Sequence, residues 1–384
     1  MNKVGINLLW MVPGVVGGSE TYTTRTLRGL AERYSDLDYT LFALPELATS
    51  YPDLARSFKT VYAPVSGRRK PTRVVAGENT WLARQCLKRR INLVHHAGGV
   101  IPLVRPGRAV LTIHDLQYIY YPEYFTRSKL AYLRKMVPRS ADAARLILTP
   151  SEYTRRTVID RLEADPSIVV VVPHGISQRE SETSVADVRA NYDLKGRFFL
   201  YPASTFPHKN HLVLVQALAR VLETHPEVTL VLTGARGSEQ WGTARSTEGR
   251  LAEEIRTLGI EERVRPLGYV SARDLDALYR EAVALTFPSR FEGFGAPILE
   301  AWSRGCPVIA ADATALPEIV GDAGYLISPD NPEDWANAMW DLLEDSDLRL
   351  IYARAGAERA LKFGWARSAD VLEDAYRHAL QTTL

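Results

Sequence analysis

The chain alternates short apolar segments with longer segments in which apolar residues recur at helical spacing. In the first half, this pattern predicts strands at 4–10, 38–44, 91–97, 109–115, 145–151 and 167–175, and helices at 21–34, 128–139 and 151–163. Continuous apolar strands separated by amphipathic helices are typical of a parallel sheet that is covered on both faces. The first half is therefore predicted to form a doubly wound α/β domain.

The same alternation restarts after a polar, weakly structured segment at 174–196. The second half predicts strands at 198–204, 228–234, 264–270, 283–289 and 307–312, and helices at 210–225, 249–260, 272–282, 296–305, 332–345 and 347–362. We therefore expect two Rossmann-like domains, at 1–175 and 176–364, with a helix at about 365–384 crossing back to the first. Ligands of such sheets bind beyond the carboxyl ends of strands, so the chemistry is expected in strand-to-helix turns.

The composition fits an ordinary two-domain globular protein, with 384 residues, 46% hydrophobic and 24% charged. Cys86 and Cys306 are far apart and lie in apolar contexts, which disfavours a disulfide framework and indicates a reducing compartment. The first apolar segment is too short for a signal peptide or a membrane span. We expect a cytoplasmic protein.

Charge is distributed unevenly, although the net charge is only +2. Residues 1–180 contain 26 basic and 15 acidic residues, whereas 181–384 contain 21 and 30. Basic segments at 68–73, 88–90 and 127–139 suggest contact with an anionic membrane surface or an anionic acceptor. The alternative is neutral drift of a solvated surface. The chain has no nucleic-acid-binding motif, so a nucleic-acid partner is not expected.

Two turns of the first half carry candidate chemistry. Gly17 and Gly18 follow the first strand and precede a helix, where backbone N–H groups can approach a phosphate, although a plain tight turn has the same pattern. His114 and Asp115 leave the strand at 109–115, and a histidine there can donate a hydrogen bond to a sugar hydroxyl or serve a structural role. His95 and His96 are predicted as strand-end or acceptor-cleft residues.

Two turns of the second half are more informative. Lys209 lies near a helix start, in a turn with Ser204 and Thr205, where an ammonium and helix N–H groups can neutralise a diphosphate without a metal. Glu292 lies in a glycine-rich turn and Glu300 lies eight residues later on a helix, so one carboxylate can bind sugar hydroxyls and the other a ribose. Leaving Glu300 without such a role among apolar neighbours would be costly.

The segment Glu-Gly-Phe-Gly-Ala-Pro-Ile-Leu-Glu at 292–300 resembles the E-x7-E motif of the retaining glycosyltransferases of family 4, which have the GT-B fold. The resemblance extends along the chain through GGSE, TIHDL, PSEYTRR, VPHGI, PHKN and PLGYV. It implies two Rossmann-like domains with the active site in the interdomain cleft. The N-terminal domain would bind the acceptor, and the C-terminal domain the nucleotide-sugar donor.

The resemblance also implies roles for individual residues. His114, Glu292 and Lys209 would be catalytic: Glu292 would contact the donor sugar, Lys209 the diphosphate, and His114 the sugar near the reacting centre. Glu300 would hold the ribose. The full set of predicted donor-binding residues is Gly17, Gly18, Ser204, Thr205, Lys209, Tyr269, Val270, Glu292, Gly293, Phe294, Gly295, Ala296, Ile298, Leu299 and Glu300.

This chain departs from the family pattern at one position. Many members carry an arginine a few residues before the phosphate-loop lysine, where this chain has Pro202-Ala203-Ser204-Thr205. Ser204, Thr205 or Arg290 is expected to compensate. Asp-x-Asp occurs at 36–38, 274–276 and 345–347, all predicted as helix or loop surface, so neither a metal nor another cofactor is expected.

The resemblance implies transfer of a hexose, with mannose from GDP-mannose favoured, to a saccharide or lipid-linked saccharide acceptor in cell-envelope glycan synthesis. UDP-glucose, UDP-N-acetylglucosamine and deoxysugar donors remain alternatives. A sugar-nucleotide epimerase or a phosphorylase is a rival with the same fold, but a phosphorylase needs a longer chain and a pyridoxal lysine. A non-catalytic nucleotide-sugar-binding module would need neither Glu292 nor His114.

Overall fold

The computed structural model describes residues 2–66, 71–176, 184–234 and 247–381. Two compact units divide the chain. The N-terminal unit consists of Met1–Gly175 and Gly364–Leu384, and the C-terminal unit of Ile176–Phe363. Among the described residues, no helix has the length and apolarity that crossing a bilayer requires.

The N-terminal unit contains a parallel sheet built from the described strands β1 Lys3–Leu8, β2 Asp38–Ala43, β3 Lys59–Tyr62, β4 Leu93–His96, β5 Arg108–Thr112, β6 Leu146–Thr149 and β7 Val169–Val171. The strand order is β3-β2-β1-β4-β5-β6-β7, and all pairings are parallel. The order reverses between β1 and β4. In a doubly wound sheet this reversal opens a crevice at the carboxyl ends of these two strands.

Helices connect these strands. They are α1 Gly18–Ala31, α2 Glu46–Ser50, α3 Pro52–Ser57, α4 Pro71–Gly77, α5 Ala83–Arg89, α6 Gln117–Tyr120, α7 Arg127–Ala143 and α8 Glu152–Leu162, with a π-helical turn at Glu78–Leu82 between α4 and α5. The apolar residues of β1, β4 and β5 are fully buried, which explains why a continuous apolar pattern predicted them.

The C-terminal unit contains a second parallel sheet. Its described strands are β8 Phe198–Pro202, β9 Thr229–Thr233, β10 Val264–Gly268, β11 Leu285–Phe287, β12 Val308–Ala311 and β13 Tyr325–Ile327, in the order β10-β9-β8-β11-β12-β13. Its helices are α9 Val185–Asn191, α10 His211–Val221, α11 Glu248–Leu258, α12 Ala272–Glu281, α13 Ala296–Trp302, α14 Leu316–Val320, α15 Pro332–Glu344 and α16 Ser346–Ala360. Here the strand order reverses between β8 and β11.

The last helix, α17 Trp365–Gln381, packs against α1 in the N-terminal unit. Its apolar face, with Leu372 and Tyr376, joins the core beneath β1 and β4. A side chain at Gly29 of α1 would meet the Trp365 carbonyl oxygen at 2.8 Å, so a glycine allows the two helices to approach closely. The Ser368 hydroxyl donates to the Pro173 carbonyl oxygen at 2.6 Å.

Several sequence predictions need correction. The predicted strand at 167–175 is the three-residue edge strand β7, because Pro166 lies in a turn before it and Pro173 has no N–H to continue the ladder. The segment at 174–196 is not wholly irregular: α9 lies within it, capped by the Ser184 hydroxyl, while 177–183 fall outside the described residues. Asp276 does not lie on the surface. Its buried carboxylate pairs with Arg304 at 2.7 Å and Arg280 at 3.3 Å.

Candidate functional site

The turns that follow β8 and β11 flank the point where the C-terminal sheet reverses its strand order. The first turn contains Lys209, and the second contains Glu292. The Lys209 Nζ lies 2.5 Å from Glu292 Oε1, and the two side chains are 20% and 15% exposed. The sheet therefore brings together two of the three predicted catalytic residues, 83 positions apart, at the place where doubly wound domains bind ligands.

The two turns are also joined through their backbones. The Arg290 N–H donates to the His208 carbonyl oxygen at 2.8 Å. Asn210 adopts a left-handed conformation with φ 57°, and its side-chain amide donates to the carbonyl oxygens of Pro288 at 3.3 Å and Pro329 at 2.6 Å. These bonds hold the Lys209 turn against the turn after β11. The predicted phosphate loop is thus fixed by its neighbours.

The glycine-rich turn before α13 has a fixed geometry. The backbone N–H of Glu292 donates to the Thr314 hydroxyl at 3.0 Å. Gly295 has φ 104°, and a side chain there would meet Leu316 Cδ2 at 2.7 Å. The positive φ requires glycine at this position, and the close approach of Leu316 adds to that preference. The turn leads from Glu292 into α13, which begins at Ala296.

Glu300 lies within α13, where one of its carboxylate oxygens contacts the neighbouring helix α12. The buried Tyr279 hydroxyl donates to Glu300 Oε2 at 3.1 Å. Glu300 itself is partly exposed. The sequence predicted Glu300 as a ribose ligand but gave no role to Tyr279, which lies within the predicted helix at 272–282.

The other predicted donor-binding residues of the C-terminal unit differ in how far they are exposed to solvent. The side chains of Ile298 and Leu299 are fully buried in the core, so their predicted contacts with a donor are limited to backbone groups. Phe294 and Val270 are also buried, whereas Tyr269 is 85% exposed. Ser204, Gly293 and Ala296 are partly exposed.

The predicted substitutes for the family's arginine have partners of their own. The Thr205 hydroxyl donates to Glu248 Oε1 at 3.0 Å, and the Thr205 carbonyl oxygen accepts from Thr247. The Arg290 guanidinium pairs with the exposed Asp330 at 2.5 Å. A phosphate bound by either residue would compete with these contacts.

In the N-terminal unit, the predicted glycine loop lies directly after the strand at the sheet reversal. Gly17 has φ 76°, and Gly18 is the first residue of α1. Both Glu20 carboxylate oxygens accept from the Gly14 N–H, at 2.9 and 3.0 Å, and Glu20 Oε1 also accepts from the Tyr51 hydroxyl at 2.5 Å. The buried Glu20 thus shapes the loop, which the motif GGSE alone did not show.

The prediction that His114 donates to a sugar hydroxyl requires correction. His114 Nε2 lies 2.9 Å from the Ala97 carbonyl oxygen, and because a carbonyl only accepts, Nε2 carries the proton. Burial lowers the pKa of His114 to about 4, so the ring is neutral near pH 7. Its Nδ1 therefore offers a hydrogen-bond acceptor, and a ligand hydroxyl would have to be the donor.

His95 and His96 are both buried at the end of β4. His95 is bonded to the Tyr376 hydroxyl and to the Thr112 hydroxyl, each at 2.7 Å, which makes it a core residue rather than an acceptor-cleft residue. His96 Nδ1 lies 3.3 Å from the Asn7 side-chain amide. Sequence reasoning left the two histidines undivided, because only packing distinguishes them.

A polar cluster that the sequence did not predict lies at the reversal point of the N-terminal sheet. The Asn7 amide oxygen accepts from the Leu9 N–H at 3.1 Å, so Asn7 Nδ2 is the donor to Glu78 Oε1 at 2.8 Å and to His96. Glu78 lies in the π-helical turn, a rare conformation that often marks functional positions. Within the described residues, no group of three or more His, Cys, Asp or Glu side chains is arranged to hold a metal ion.

Both units of the chain match family models of glycosyltransferases. Residues 186–359 match the family model of glycosyl transferases group 1, and residues 16–180 match glycosyltransferase family 4. The chain is 33% identical over 278 residues to the O-antigen chain mannosyltransferase B of Escherichia coli, covering 71% of each chain. It is 28% identical over 400 residues to a D-inositol 3-phosphate glycosyltransferase of Corynebacterium kroppenstedtii, covering 96% of this chain and 87% of that protein.

Solved structures share the architecture. Sucrose-phosphate synthase from Thermosynechococcus elongatus superposes with a TM-score of 0.78 at 19% identity, covering 98% of this chain and 99% of that chain. Anabaena Alr3699/HepE in complex with UDP-glucose superposes with a TM-score of 0.74 at 21% identity, covering 98% and 100%. At these identities the likeness concerns the fold.

The Glu78 carboxyl should make the free energy of unfolding depend on pH. Burial raises the pKa of its carboxyl from 4.5 to about 7, against the opposing effect of the Asn7 hydrogen bond. The folded chain then retains a proton that the unfolded chain releases, so stability falls as pH rises from 4.5 to 7 and levels off above. His96, with a pKa lowered to about 3, stays neutral in this window, and Tyr132, whose pKa burial raises, stays protonated. We expect Glu78→Gln to remove this loss, on the order of 2–3 kcal/mol.

Denaturant unfolding at pH 5 and pH 8 measures this effect. The variant should gain stability relative to the unmodified chain only at pH 8. Glu123→Gln, at an exposed carboxylate, serves as the control and should show no such difference. If both variants change in stability equally between pH 5 and pH 8, or if Glu78→Gln gains no stability at pH 8, the fold does not hold Glu78 protonated.

Proposed function

Because the chain belongs to glycosyltransferase family 4, has the GT-B fold and is a hexosyltransferase of glycan synthesis, we propose that it transfers the sugar of a nucleoside-diphosphate donor with retention at the anomeric carbon. The acceptor is a saccharide or a lipid-linked saccharide. The Lys209–Glu292 pair at the sheet reversal is the observation that carries this proposal.

Lys209 supplies the positive charge for the donor diphosphate. Lys209 lies in the turn after β8, one of the two strands at the reversal, and its ammonium contacts Glu292 in the turn before α13. A fixed ammonium and helix N–H groups stabilise phosphate charge by the same electrostatics that a divalent cation provides. The diphosphate would take Lys209 as its partner, which releases Glu292 to bind hydroxyls of the donor sugar. We propose that the reaction needs no metal.

The N-terminal unit carries candidate ligand-binding groups of its own. The N–H groups at Gly17 and Gly18 begin α1, and a helix N-terminus favours anions. His114 Nδ1 can accept a hydrogen bond from a ligand hydroxyl, in keeping with its neutral Nε2–H form. Acceptor binding is assigned to this unit.

The reaction proceeds on one face of the sugar. The bond between the anomeric carbon and the diphosphate oxygen breaks with its electron pair on the leaving phosphate, through an oxocarbenium-like transition state. The acceptor hydroxyl forms the new bond on the same face and passes its proton to a leaving phosphate oxygen. The protein contributes positioning and charge stabilisation rather than a nucleophile.

Loss of either member of the central pair should abolish most activity. We expect Lys209→Ala and Glu292→Ala each to lower the turnover number on the order of 10²-fold or more, because each removes a preorganised partner of the transition state. Initial rates of sugar release from the donor, with and without acceptor, measure this loss.

Lys195→Ala and Glu261→Ala serve as matched controls, since both residues are exposed. Their rates should remain within about twofold of the unmodified enzyme, as is usual for surface substitutions. Near-normal turnover in Lys209→Ala or Glu292→Ala, in protein with an unchanged unfolding temperature, would refute the proposed mechanism.

We propose GDP-mannose as the donor, supported by the similarity to the E. coli mannosyltransferase. UDP-glucose, UDP-N-acetylglucosamine and deoxysugar nucleotides are the alternatives. Thermal unfolding with GDP, UDP and dTDP distinguishes them, because a ligand at 100 times its Kd stabilises by about 2.7 kcal/mol. GDP should give the largest shift, and a larger shift with UDP would select a uridine donor. A non-catalytic binding module would show a shift but release no sugar.

We further propose a peripheral association with an anionic membrane at its cytoplasmic face. Helix α7 carries four exposed basic side chains, Arg127, Lys129, Arg134 and Lys135. Leu103 and Val104 are exposed beside it, where the Arg139 guanidinium donates to the Leu103 carbonyl oxygen. The basic segment at 68–73 adds to the charge, although 68–70 and the side chains of 71–73 lie outside the described residues.

Vesicle sedimentation tests this association. The protein should sediment with phosphatidylglycerol vesicles at low salt and be released at about 1 M salt, where charges are screened within about 3 Å. The double variant Arg134→Glu, Lys135→Glu should bind more weakly, whereas Lys195→Glu in the other unit should bind normally. Equal sedimentation with neutral and anionic vesicles would contradict the proposal.

A further inference from the structure

Tyr279 is a buried residue whose hydroxyl contacts the carboxylate assigned to the nucleotide. Its side chain is 2% exposed, and its hydroxyl donates to Glu300 Oε2 at 3.1 Å. Burial and then the Glu300 charge raise the pKa of Tyr279 well above its ordinary value. The Tyr279 hydroxyl therefore keeps its proton near neutral pH and donates its hydrogen bond to Glu300.

A second contact holds Glu300 from the backbone side. The Arg304 guanidinium donates to the Glu300 carbonyl oxygen at 3.3 Å and to the buried Asp276 carboxylate at 2.7 Å. Asp276 and Tyr279 lie on the same helix, α12. This helix thus positions both the backbone and the carboxylate of Glu300. A group tied at two points retains less conformational freedom to lose when a ligand binds.

We propose that Tyr279 is the positioning residue for nucleotide recognition: it fixes the Glu300 carboxylate so that the two vicinal hydroxyls of a ribose are bound together. The inference rests on the proposed function, which assigns the ribose to Glu300. A carboxylate in a fixed plane accepts two parallel hydrogen bonds from a vicinal diol, and a 2′-deoxyribose offers only one. Tyr279 therefore sets a preference for ribonucleoside diphosphates, which favours GDP or UDP over dTDP sugars.

The structure offers a matched control on the same helix. The Tyr192 hydroxyl donates to Asp274 Oδ2 at 2.9 Å, and Asp274 also lies on α12. Tyr192→Phe removes a tyrosine–carboxylate hydrogen bond without touching Glu300. It reproduces the general effect of losing such a bond from this helix, and it leaves the proposed positioning intact.

Calorimetric titration with GDP against 2′-deoxy-GDP, and with UDP against 2′-deoxy-UDP, tests the proposal. The unmodified enzyme should prefer the ribonucleotide by roughly 10-fold or more, the size expected when a charged group loses one hydrogen-bond partner. Tyr279→Phe should reduce this preference at least about threefold, and Tyr192→Phe should leave it unchanged. Adding Tyr279→Phe to Glu300→Ala should not change the preference further.

The possible results distinguish failure of this inference from failure of the proposed function. If Tyr279→Phe weakens both nucleotides equally, Tyr279 is only structural and the inference is wrong. If the unmodified enzyme binds the nucleotides without a ribose preference, the assignment of Glu300 fails. If it binds none, the proposed function fails. Should Tyr279→Phe not fold, Glu300→Asp, which withdraws the carboxylate from Tyr279, must lose the preference, and an unchanged preference would overturn the inference.

Discussion

The contact between the Lys209 ammonium and the Glu292 carboxylate is the interaction on which the C-terminal unit's site depends. Both charges are largely removed from water. The desolvation cost of such a pair is offset only by close pairing and by further hydrogen bonds. Thr314 fixes the backbone of Glu292, and Asn210 fixes the turn that carries Lys209. A diphosphate is a natural competitor for this ammonium, because it brings more negative charge than a single carboxylate.

The sheet topology explains why these side chains meet. In each unit the strand order reverses once, between β1 and β4 and between β8 and β11, and polar residues cluster at the carboxyl ends of those strands. In the N-terminal unit the cluster contains Asn7, Glu78 and His96, and in the C-terminal unit it contains Lys209 and Glu292. The same doubly wound geometry thus produces two polar sites with different chemistry.

The sequence predicted what local patterns determine. Buried strands such as β8 and β12 are continuous apolar runs, and the glycine-rich turn before α13 has a distinctive spacing of carboxylates. It missed β3, an edge strand with partly exposed residues, because it has no such run. It also missed contacts that depend on packing between distant elements, such as Tyr279 with Glu300 and Glu78 with Asn7. The His114 proton position follows only from the neighbouring Ala97 carbonyl.

A crystal structure with the nucleoside diphosphate that stabilises the protein most would show whether the Lys209 ammonium binds the donor phosphates. We expect a phosphate oxygen within about 3 Å of the Lys209 Nζ, with Glu292 displaced from the ammonium and the ribose hydroxyls on Glu300. A nucleotide bound elsewhere, with the Lys209–Glu292 contact unchanged, would contradict it.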